Sequence, residues 1–386
     1  MLFIIRARCT SILPHSTTCT RTTTRTVFST ALRTFSTQDS MMTTPHADQI
    51  ADPATKAASL ASWLLQASPA LLNLALARRT DANAVPASRR AVVVGLSGPQ
   101  GSGKSTLASH LVTYLHDKHA LRGISISLDD FYLPHADLTA LAAANPTNPL
   151  LHGRGLPGTH DLPLLLFTLE QLATHWSHPT QTVAVPAYDK AAHSGAGDRS
   201  PTPHVVTTPC DVVILDGWML GFSTENADTA VSNLRAPIVA EFGRANLIDM
   251  CTRILPTPTS DWSNVHTRLD HFVHLVPGNL DQIPRIVTMW RTEQERALVK
   301  ARGTGMTDAQ VVQFVQRYVP MYLVAARDLA ENGVRFWGVE KVGPVGEPRR
   351  AVRVKLGEGR EVLEIVEVGG KKAAVGLLAP VLSAGL

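Results

Sequence analysis

The sequence predicts an α/β fold in which helices pack on both faces of a mainly parallel β-sheet. Residues 91–96 form a short, valine-rich apolar run, which is typical of a buried strand in a parallel sheet. A glycine-rich loop follows this run directly, and apolar residues at helical spacing follow the loop. Two more short apolar runs, at residues 123–128 and 211–215, each precede acidic residues. This order predicts a sheet that binds a ligand at the carboxyl ends of its strands.

The loop after the first strand, residues 98–105, has the pattern G-x-x-x-x-G-K-S of a phosphate-binding P-loop. Its glycines let the chain turn tightly, so that successive amide groups and the positive end of the next helix face a polyphosphate. In such a loop the lysine, here Lys104, reaches the β- and γ-phosphates, and the hydroxyl of Ser105 binds Mg²⁺. The sequence therefore predicts a nucleotide site formed by Gly98, Pro99, Gln100, Gly101, Ser102, Gly103, Lys104, Ser105 and Thr106.

Acidic residues follow two of the other predicted strands. Asp129 and Asp130 come directly after residues 123–128, where α/β sheets bind ligands, although aspartates at such places also cap helices and turns. Asp216 ends the next long apolar run in the manner of a Walker-B acid, which holds Mg²⁺ directly or through water. We therefore predict Ser105 and Asp216 as the metal-binding pair.

Two polar loops lie between these strands in the sequence. The first is rich in glycine and proline and carries Arg154, His160 and Asp161, of which the last two could instead serve only to cap the helix that follows. The second contains Lys190 and Arg199 among several glycines. Cations in such a loop suit an anionic ligand, and the alternative is a solvated surface loop.

The spacing of apolar residues in the rest of the chain predicts further helices and strands, and it suggests how the chain divides into domains. Helical spacing marks residues 54–79, 235–254, 283–301 and 307–331, and strand patterns mark residues 183–186, 271–276 and 334–339. Thr307 and Gln310 have the spacing of a capping box. Residues 343–386 are glycine-rich, predict a β-hairpin or an irregular tail, and carry no recognisable chemistry. We therefore divide the chain into a leader (1–42), an N-terminal helix and linker (54–90), a P-loop domain (91–340) and a C-terminal extension (341–386).

The composition of the first 38 residues predicts a mitochondrial transit peptide. They contain five arginines, many serines and threonines and no acidic residue. The sequence R-T-F-S resembles a processing site cut after Phe35. A disordered cytoplasmic tail is the alternative, and a second start at Met41 or Met42 would give a cytoplasmic form.

Charge and composition narrow the function further. The formal charge of +4 comes from the five arginines of the leader. The rest of the chain has 31 basic and 32 acidic residues, so its net charge is about −1. A nucleic-acid surface is therefore not indicated. No apolar run approaches the ~18 residues of a membrane span, so no membrane partner is expected. Cys9 and Cys19 lie in the leader, and Cys210 and Cys251 form no C-x-x-C pattern, so neither a disulfide framework nor a zinc site is indicated.

A series of sequence blocks between residues 91 and 340 resembles the D-glycerate 3-kinase family of plants and fungi. This family lies within the uridine kinase, phosphoribulokinase and pantothenate kinase branch of P-loop kinases. The blocks are GLSGPQGSGKSTL, LDDFYL, GRGLPGTHDLPL, YDK…SG-x-GDRS, DGWMLGF, MWRTEQE and GMTDAQVVQFVQRYVPMY, in the family's order. The GTHDL, GDRS and GWMLGF parts point to glycerate kinase. The resemblance implies a P-loop kinase fold, ATP and Mg²⁺ as cofactors, and phosphorylation of D-glycerate to 3-phospho-D-glycerate.

The resemblance also implies roles for particular residues. The branch places its catalytic acid at the first residue of a D-x-F motif, which is Asp129 here, and Lys104 acts on the phosphates. The small carboxylate substrate needs cations and hydroxyl partners. The candidates are Arg154, Lys190, Arg199 and Arg291 as cations, with His160 and Tyr188 as hydroxyl partners. Arg302 would belong to a lid that closes over the phosphates and excludes water.

Three positions depart from the family's pattern. Asp216 stands where the family commonly has Glu, and because Asp is one methylene shorter the metal would be held through water. Ala187 and Ala196 stand where the family often has basic residues. The differences at Ala187 and Ala196 would thin the anion site, so they concern the identity of the acceptor and not the fold.

Two other functions remain open on the sequence. One is a kinase of the same branch that acts on another small hydroxylated metabolite, such as a nucleoside or a pantothenate-like acid. The other is a non-catalytic nucleotide-binding regulator. The chain has no N-K-x-D guanine motif, which disfavours a GTPase switch, and it lacks the basic surface of a nucleic-acid-dependent ATPase.

Overall fold

The computed structural model describes residues 52–81, 84, 90–174, 181–303, 305–337 and 341–368. The predicted transit peptide, the predicted processing site and the last part of the C-terminal extension lie outside these residues.

Ten strands occur in the described residues. They are β1 (Val92–Ser97), β2 (Gly123–Ser127), β3 (Thr182–Val185), β4 (Tyr188–Asp189), β5 (Asp198–Arg199), β6 (His204–Thr207), β7 (Val212–Gly217), β8 (His271–Pro277), β9 (Arg350–Leu356) and β10 (Val362–Glu367). Six of them form one sheet in the order β10-β9-β8-β1-β7-β2. All neighbours in this sheet are parallel except β9 and β10. The prediction of an α/β fold with a mainly parallel sheet is confirmed.

Helices connect these strands. They are α1 (Pro53–Ala67), α2 (Pro69–Arg78), α3 (Lys104–His119), α4 (His135–Ala144), α5 (Leu162–Thr174), α6 (Ala227–Ser232), α7 (Ala236–Phe242), α8 (Arg244–Thr252), α9 (Asp261–Thr267), α10 (Ile283–Arg302), α11 (Asp308–Gln316), α12 (Val319–Met321) and α13 (Arg327–Asn332). A π-helical turn, Tyr322–Ala326, joins α12 to α13. The capping box predicted for Thr307 and Gln310 is present at the start of α11.

The central strands β1, β7 and β8 are buried on both faces, as the valine-rich first strand predicts. Alternate residues of a strand point to opposite faces. Val93 packs in one apolar core with Leu165 of α5. Its neighbour Val94 packs in a second core with Leu111 of α3 and Leu64 of α1. The carboxyl ends of β1, β2 and β7 therefore emerge together between two layers of helices.

The helix predicted over residues 54–79 is two helices. Pro69 has no N–H to donate back along α1, and the Ser68 hydroxyl accepts a hydrogen bond from Leu71 N at 3.4 Å, which caps α2. The same hydroxyl donates to Glu347 at 2.6 Å. The chain bends by 108° at this break, and both helices cover the second core.

The end of the predicted P-loop domain at residue 340 is not a boundary in the fold. β9 pairs in parallel with β8, from His271–Arg350 to Pro277–Leu356, and β10 returns beside it. The predicted hairpin is thus confirmed, but it extends the main sheet. Because the basic residues Arg350, Arg353 and Lys355 lie among the apolar residues of β9, the sequence pattern did not assign this strand to the core.

The strand predicted at residues 334–339 is wrong where the structure describes it. Arg335–Trp337 form a short 3₁₀ turn. The ring of Phe336 stacks on His266 with centroids 4.2 Å apart, and Trp337 Nε1 donates to the His266 carbonyl at 3.1 Å. These contacts fix the turn against α9, and β9 occupies the position beside β8 instead.

Two other predicted helices are interrupted. The segment 235–254 forms α7 and α8, because Gly243 between them has φ of 80°, a left-handed value that ends a helix. The segment 307–331 forms α11, α12 and α13, with Pro320 in the short middle helix. Of the described helices, none is by itself long and apolar enough to cross a membrane. Only α1 and α2 taken together reach that length and composition, and they are bent by 108°.

Candidate active site

The predicted P-loop lies between β1 and α3, where the sequence places it. Gly101 has φ of 77°, and a Cβ there would lie 2.7 Å from the backbone of Trp290, so this turn requires glycine. α3 begins at Lys104, and its first turn holds Ser105 and Thr106. All nine predicted nucleotide-binding residues therefore belong to one turn and the helix end that follows it.

Lys104 lies between the loop and two carboxylates. Its Nζ donates to the carbonyl of Pro99 at 3.0 Å. Burial lowers the pKa of the Lys104 ammonium, and the negative charges of Asp216 and Asp129 oppose that shift. The lysine thus stands close enough to both acids to share their electrostatic field.

Asp216 is at the end of β7, beside the P-loop. Ser105 Oγ donates to its Oδ1 at 3.4 Å, and Ser127 Oγ reaches the same atom at 3.5 Å. Burial raises the pKa of Asp216 to about 6, although the positive charge of Lys104 opposes the rise. One carboxylate and two hydroxyls are oxygen donors of the kind that suit Mg²⁺. The predicted pair of Ser105 and Asp216 is brought together, and Ser127, which the sequence reading missed, joins it.

Asp129 follows β2 in a short 3₁₀ turn, Leu128–Phe131. Lys190 Nζ lies 2.6 Å from its Oδ2, and Tyr132 OH donates to its Oδ1 at 2.8 Å. Burial raises the pKa of Asp129, but the charge of Lys190 and these two hydrogen bonds outweigh that effect and hold the pKa at about 2. Asp129 is therefore ionised throughout the physiological pH range.

Asp130 has a different place. Its Oδ1 accepts a hydrogen bond from the backbone N–H of Tyr188 at 3.2 Å, which ties β4 to the turn after β2. The alternative of a turn-stabilising aspartate thus describes Asp130. Asp129 is the one of the two that forms an ion pair with Lys190.

Three of the four predicted cations surround this turn. Lys190 pairs with Asp129. Arg199 donates to Asp161 Oδ2 at 3.0 Å and to the carbonyl of Tyr132 at 3.1 Å. Arg154 donates to the carbonyl of Gly195 at 2.8 Å, and it also donates to the carbonyl of Ala196.

Asp161 combines the two roles that the sequence left open. Its Oδ1 accepts from Leu164 N at 3.1 Å in the first turn of α5, and its Oδ2 accepts from Arg199. It therefore both caps a helix and fixes one of the cations.

The rings of His160 and Tyr188 both pack against the ring of Tyr132. The ring centroids of Tyr132 and His160 are 4.6 Å apart, and those of Tyr132 and Tyr188 are 5.2 Å apart. Both ring nitrogens of His160 and the hydroxyl of Tyr188 are buried without a hydrogen-bond partner among the described residues. Burial lowers the pKa of His160 to about 4, so the ring is neutral at pH 7. These unpaired polar atoms suit a ligand that carries hydroxyl groups.

Arg291 is not brought into contact with this group. Its guanidinium pairs with Glu295, one turn further along α10, at 2.7 Å and lies 5.5 Å over the ring of Phe314. Glu295 also accepts from Met306 N at 2.8 Å. In this structure Arg291 and Glu295 join α10 to the segment before α11, and the role of Arg291 in holding the acceptor stays a prediction. The side chain of Arg302 lies outside the described part of the chain.

Several residues of the site were not predicted from the sequence. Tyr132 holds Asp129, and the signal available was only its position in the D-D-F-Y segment. Tyr322 OH accepts from Gln100 N at 3.2 Å. Arg360, in the turn between β9 and β10, donates to the carbonyl of Gly101 at 2.6 Å. No local pattern could reveal that contact, because 259 positions separate the two residues.

An apolar cavity of about 300 Å³ opens beside the P-loop. Its walls come from α1, α3 and strands β8 to β10. Gly103 and Thr106 line it from the loop side, and Gly359 and Arg360 line it from the hairpin. The two ends of the described chain therefore meet next to the phosphate-binding turn.

Comparison with known proteins agrees with this geometry. No family model matches the chain. It is 36% identical over 244 residues to the probable ATP-dependent kinase TDA10 of Saccharomyces cerevisiae, across 61% of this chain and 78% of that protein. It is 35% identical over 274 residues to the chloroplastic D-glycerate 3-kinase of Arabidopsis thaliana, across 70% of this chain and 53% of that protein. The structure of D-glycerate 3-kinase from Cryptococcus neoformans matches with a TM-score of 0.61 and 31% identity, across 78% of this chain and 98% of that one.

The fold and the phosphate-binding turn are those of the P-loop kinases, and these relatives are named as kinases. The protein is therefore an ATP-dependent kinase of the P-loop class. Within that class it belongs to the D-glycerate 3-kinase family, which confirms the resemblance seen in the sequence blocks.

Proposed function

We propose that this kinase transfers the γ-phosphoryl group of ATP to D-glycerate, giving 3-phospho-D-glycerate and ADP. The observation that carries the proposal is the position of Asp129. It pairs with Lys190, and its negative charge also raises the pKa of the P-loop lysine, Lys104. A small acceptor held there would have one end near cations and a hydroxyl near a carboxylate that faces the phosphates.

The nucleotide is held by the P-loop in this proposal. Backbone N–H groups of residues 100–105 face the phosphates, and Lys104 moves from the Pro99 carbonyl to the β- and γ-phosphates. Ser105 and Asp216 would hold Mg²⁺, with Ser127 beside them. The metal would offset negative charge on the phosphate oxygens as it develops during transfer. The base of ATP fits the apolar cavity beside Gly103 and Thr106.

The acceptor is held by the residues around Tyr132. Its carboxylate suits Lys190 and Arg154, whose guanidinium is bonded here to neutral carbonyl groups. The unpaired polar atoms of His160 and Tyr188 suit its hydroxyl groups. Ala196 contributes its carbonyl to Arg154, so the loss of a basic side chain there leaves an arginine in place.

The transfer step follows from this arrangement. The acceptor oxygen forms a bond to the γ-phosphorus while the bond to the bridging oxygen of ADP breaks, and ADP leaves with that electron pair. The hydroxyl proton goes to Asp129. A primary alcohol is a weak acid, so Asp129 orients the hydroxyl early and takes its proton late in the transfer.

Measurement of ADP release tests the proposal. The chain starting at Ser36 is supplied with Mg·ATP and D-glycerate, L-glycerate, uridine, pantothenate or no acceptor. We expect strong stimulation by D-glycerate alone, and ³¹P NMR should identify the product as the 3-phosphate. Stimulation by uridine or pantothenate instead would support the assignment as a kinase but contradict D-glycerate as its substrate.

We also propose that residues 1–42 direct the protein to mitochondria, on the basis of their arginine-rich, acid-free composition. A fusion of these residues to a fluorescent protein should co-localise with mitochondria, whereas a fusion that starts at Met42 should stay in the cytoplasm. A diffuse distribution of the first fusion would contradict this assignment.

A further inference from the structure

The ion pair between Lys190 and Asp129 occupies the carboxylate that the proposed reaction needs. Lys190 Nζ lies 2.6 Å from Oδ2 and Tyr132 OH lies 2.8 Å from Oδ1, so each oxygen already accepts a hydrogen bond. A carboxylate held in this way by a full positive charge is a poor proton acceptor. In this state Asp129 is poorly suited to take a proton from any hydroxyl group.

Lys190 differs from the arginines near it in how firmly it is held. Arg199 is fixed by the carboxylate of Asp161 and the carbonyl of Tyr132. The side chain of Lys190 is 55% exposed, and Asp129 is its only hydrogen-bond acceptor among the described residues. A lysine with a long, solvated stem and one partner can change partner at little cost.

The backbone beneath Lys190 is anchored while its side chain is not. Arg154 donates to the carbonyl of Lys190 at 3.4 Å and to the carbonyls of Gly195 and Ala196, and its guanidinium lies 5.8 Å over the ring of Tyr188. The loop between β4 and β5 is thus pinned at three carbonyls. Movement of Nζ away from Asp129 therefore requires only rotation of the lysine side chain.

We propose that Lys190 makes the use of Asp129 depend on an anionic acceptor. Without an acceptor it masks Asp129, and when an acceptor binds, Lys190 transfers to the carboxylate of that acceptor and leaves Asp129 Oδ2 to the hydroxyl. The inference rests on the proposed function for the identity of the anion. Water and neutral alcohols carry no charge to draw Lys190 away, so Lys190 determines specificity and suppresses ATP hydrolysis.

The first test uses the unaltered protein and D-lactate, which has the carboxylate of glycerate but no hydroxyl at carbon 3. Its carboxylate should draw Lys190 away, so that Asp129 takes a proton from water. The water oxygen then bonds to the γ-phosphorus as the bond to ADP breaks, giving ADP and phosphate. We expect at least a threefold stimulation of ATP hydrolysis. Failure of D-lactate to bind or to stimulate overturns the proposal.

The second test removes the charge and keeps the length of the side chain. Lys190→Met should hydrolyse ATP at least three times faster than the unaltered protein without any acceptor, and D-lactate should have no further effect. Its preference for D-glycerate over glycerol, measured as a ratio of kcat/KM, should fall about tenfold, the size of one charge-assisted hydrogen bond. Lys118→Met, which removes an exposed lysine on α3, is the matched control and should change neither quantity.

A merely structural ion pair predicts a different result. Lys190→Met would then hydrolyse ATP no faster than the unaltered protein and would keep its preference for glycerate over glycerol, which overturns the proposal. The proposed function and the proposed role of Lys190 can also be tested separately. If D-glycerate is not phosphorylated but both hydrolysis effects occur, the proposed function is wrong and the role of Lys190 stands.

Discussion

At the scale of single residues, two neighbouring aspartates have different environments. Asp129 contacts Lys190 and Tyr132 and its charge acts on Lys104, whereas Asp130 accepts a backbone hydrogen bond from Tyr188. The proposed proton transfer by Asp129 and the backbone anchoring by Asp130 therefore depend on different contacts. Two substitutions that remove only the charge can separate these roles.

We expect Asp129→Asn to reduce kcat by ~10² or more, the size of a lost general base, while ADP binds as before. Asp130→Asn is the matched control, because an amide oxygen can still accept from Tyr188 N, and it should keep kcat within about threefold. Steady-state kinetics and calorimetric titration of ADP make both measurements. Near-normal kcat in Asp129→Asn would remove this residue from the mechanism.

Much of the site at this scale could be predicted from the sequence. Lys104, Ser105, Asp129 and Asp216 are local features, since each belongs to a motif whose chemistry depends on neighbours in the chain. Arg291 could not be judged in that way. A cation on a helix looks the same in sequence whether it faces a substrate or, as here, an internal glutamate.

At the scale of elements, α2 is held to the sheet by a buried ion pair. Arg78 NH2 donates to Asp211 Oδ1 at 3.1 Å, and the side chains of Arg78 and Asp211 are 5% and 0% exposed. Arg78 also donates to the carbonyl of Ala120 at 2.7 Å, just after α3. One side chain therefore joins α2, α3 and the start of β7.

We expect Arg78→Leu to lower the free energy of unfolding by ~3 kcal/mol, because it leaves the buried Asp211 charge with only the backbone N–H of Arg122 and the Arg122 guanidinium at 3.9 Å. Arg79→Leu alters the adjacent exposed arginine and should change that free energy by less than ~0.5 kcal/mol. Urea denaturation followed by circular dichroism makes the comparison. Equal stability of the two variants would show that the pair does not hold α2 in place.

The hairpin formed by β9 and β10 offers a second test at this scale. Val362 lines the cavity beside the P-loop, and Leu363 on the same strand is 53% exposed. We expect Val362→Trp to fill the cavity and weaken ADP binding at least tenfold while tripolyphosphate, which has no base, binds as before. Leu363→Trp should leave both affinities unchanged.

The outcome separates two uses of the cavity. A loss of ADP and tripolyphosphate binding together would indicate distortion of the P-loop instead of exclusion of the base. Unchanged ADP affinity in a folded Val362→Trp protein would contradict the placement of the base in this cavity. Neither result depends on the identity of the acceptor.

The order of strands and helices was predictable because each has a local period, but their partners were not. The strand at β8 was found from its alternation, but its pairing with β9 was not predicted, and residues 334–339 do not form the strand predicted there where the structure describes them. The break at Ser68 depends partly on Glu347, which is remote in sequence. Pairing and breaks of this kind depend on contacts that no short window of sequence contains.

At the scale of the whole molecule, buried titratable groups set the response to acid. Burial lowers the pKa of His160, His266 and His271 to about 4 and that of His274 to about 3. The unfolded chain binds protons at these residues near pH 6.5, so it gains protons before the folded state does. Stability contributed by the neutral rings is therefore present above pH 6.5 and is lost as the pH falls towards 4.

Two carboxyl groups act in the opposite direction. Burial raises the pKa values of Asp216 and Asp270 to about 6, so the folded state gains protons first at these positions and is stabilised as the pH falls from 6 towards 4. Because four histidines destabilise the folded state as the pH falls and only two aspartates stabilise it, the free energy of unfolding decreases. We expect the free energy of unfolding to fall by on the order of 3 kcal/mol from pH 6.5 to 5.

Urea denaturation across this pH range tests the expectation. His266 accepts from Gly221 N at 2.7 Å and lies against Phe336, so it is one of the contributing rings. His266→Gln should reduce the pH slope by roughly 1 kcal/mol per pH unit. The exposed His110, changed in the same way, should leave the slope as it is. A free energy of unfolding that does not change between pH 6.5 and 5 would contradict this account.

The contact between Arg360 and the carbonyl of Gly101 has a consequence for synthesis of the protein. The ribosome makes Gly101 long before the residue that supports it, since 259 positions separate them. A nascent chain complete only to residue 340 has its P-loop and Asp129 but lacks β9, β10 and this support. We expect affinity for nucleotide to arise only when the hairpin has left the exit tunnel, so that translating ribosomes carry no ATP-consuming intermediates.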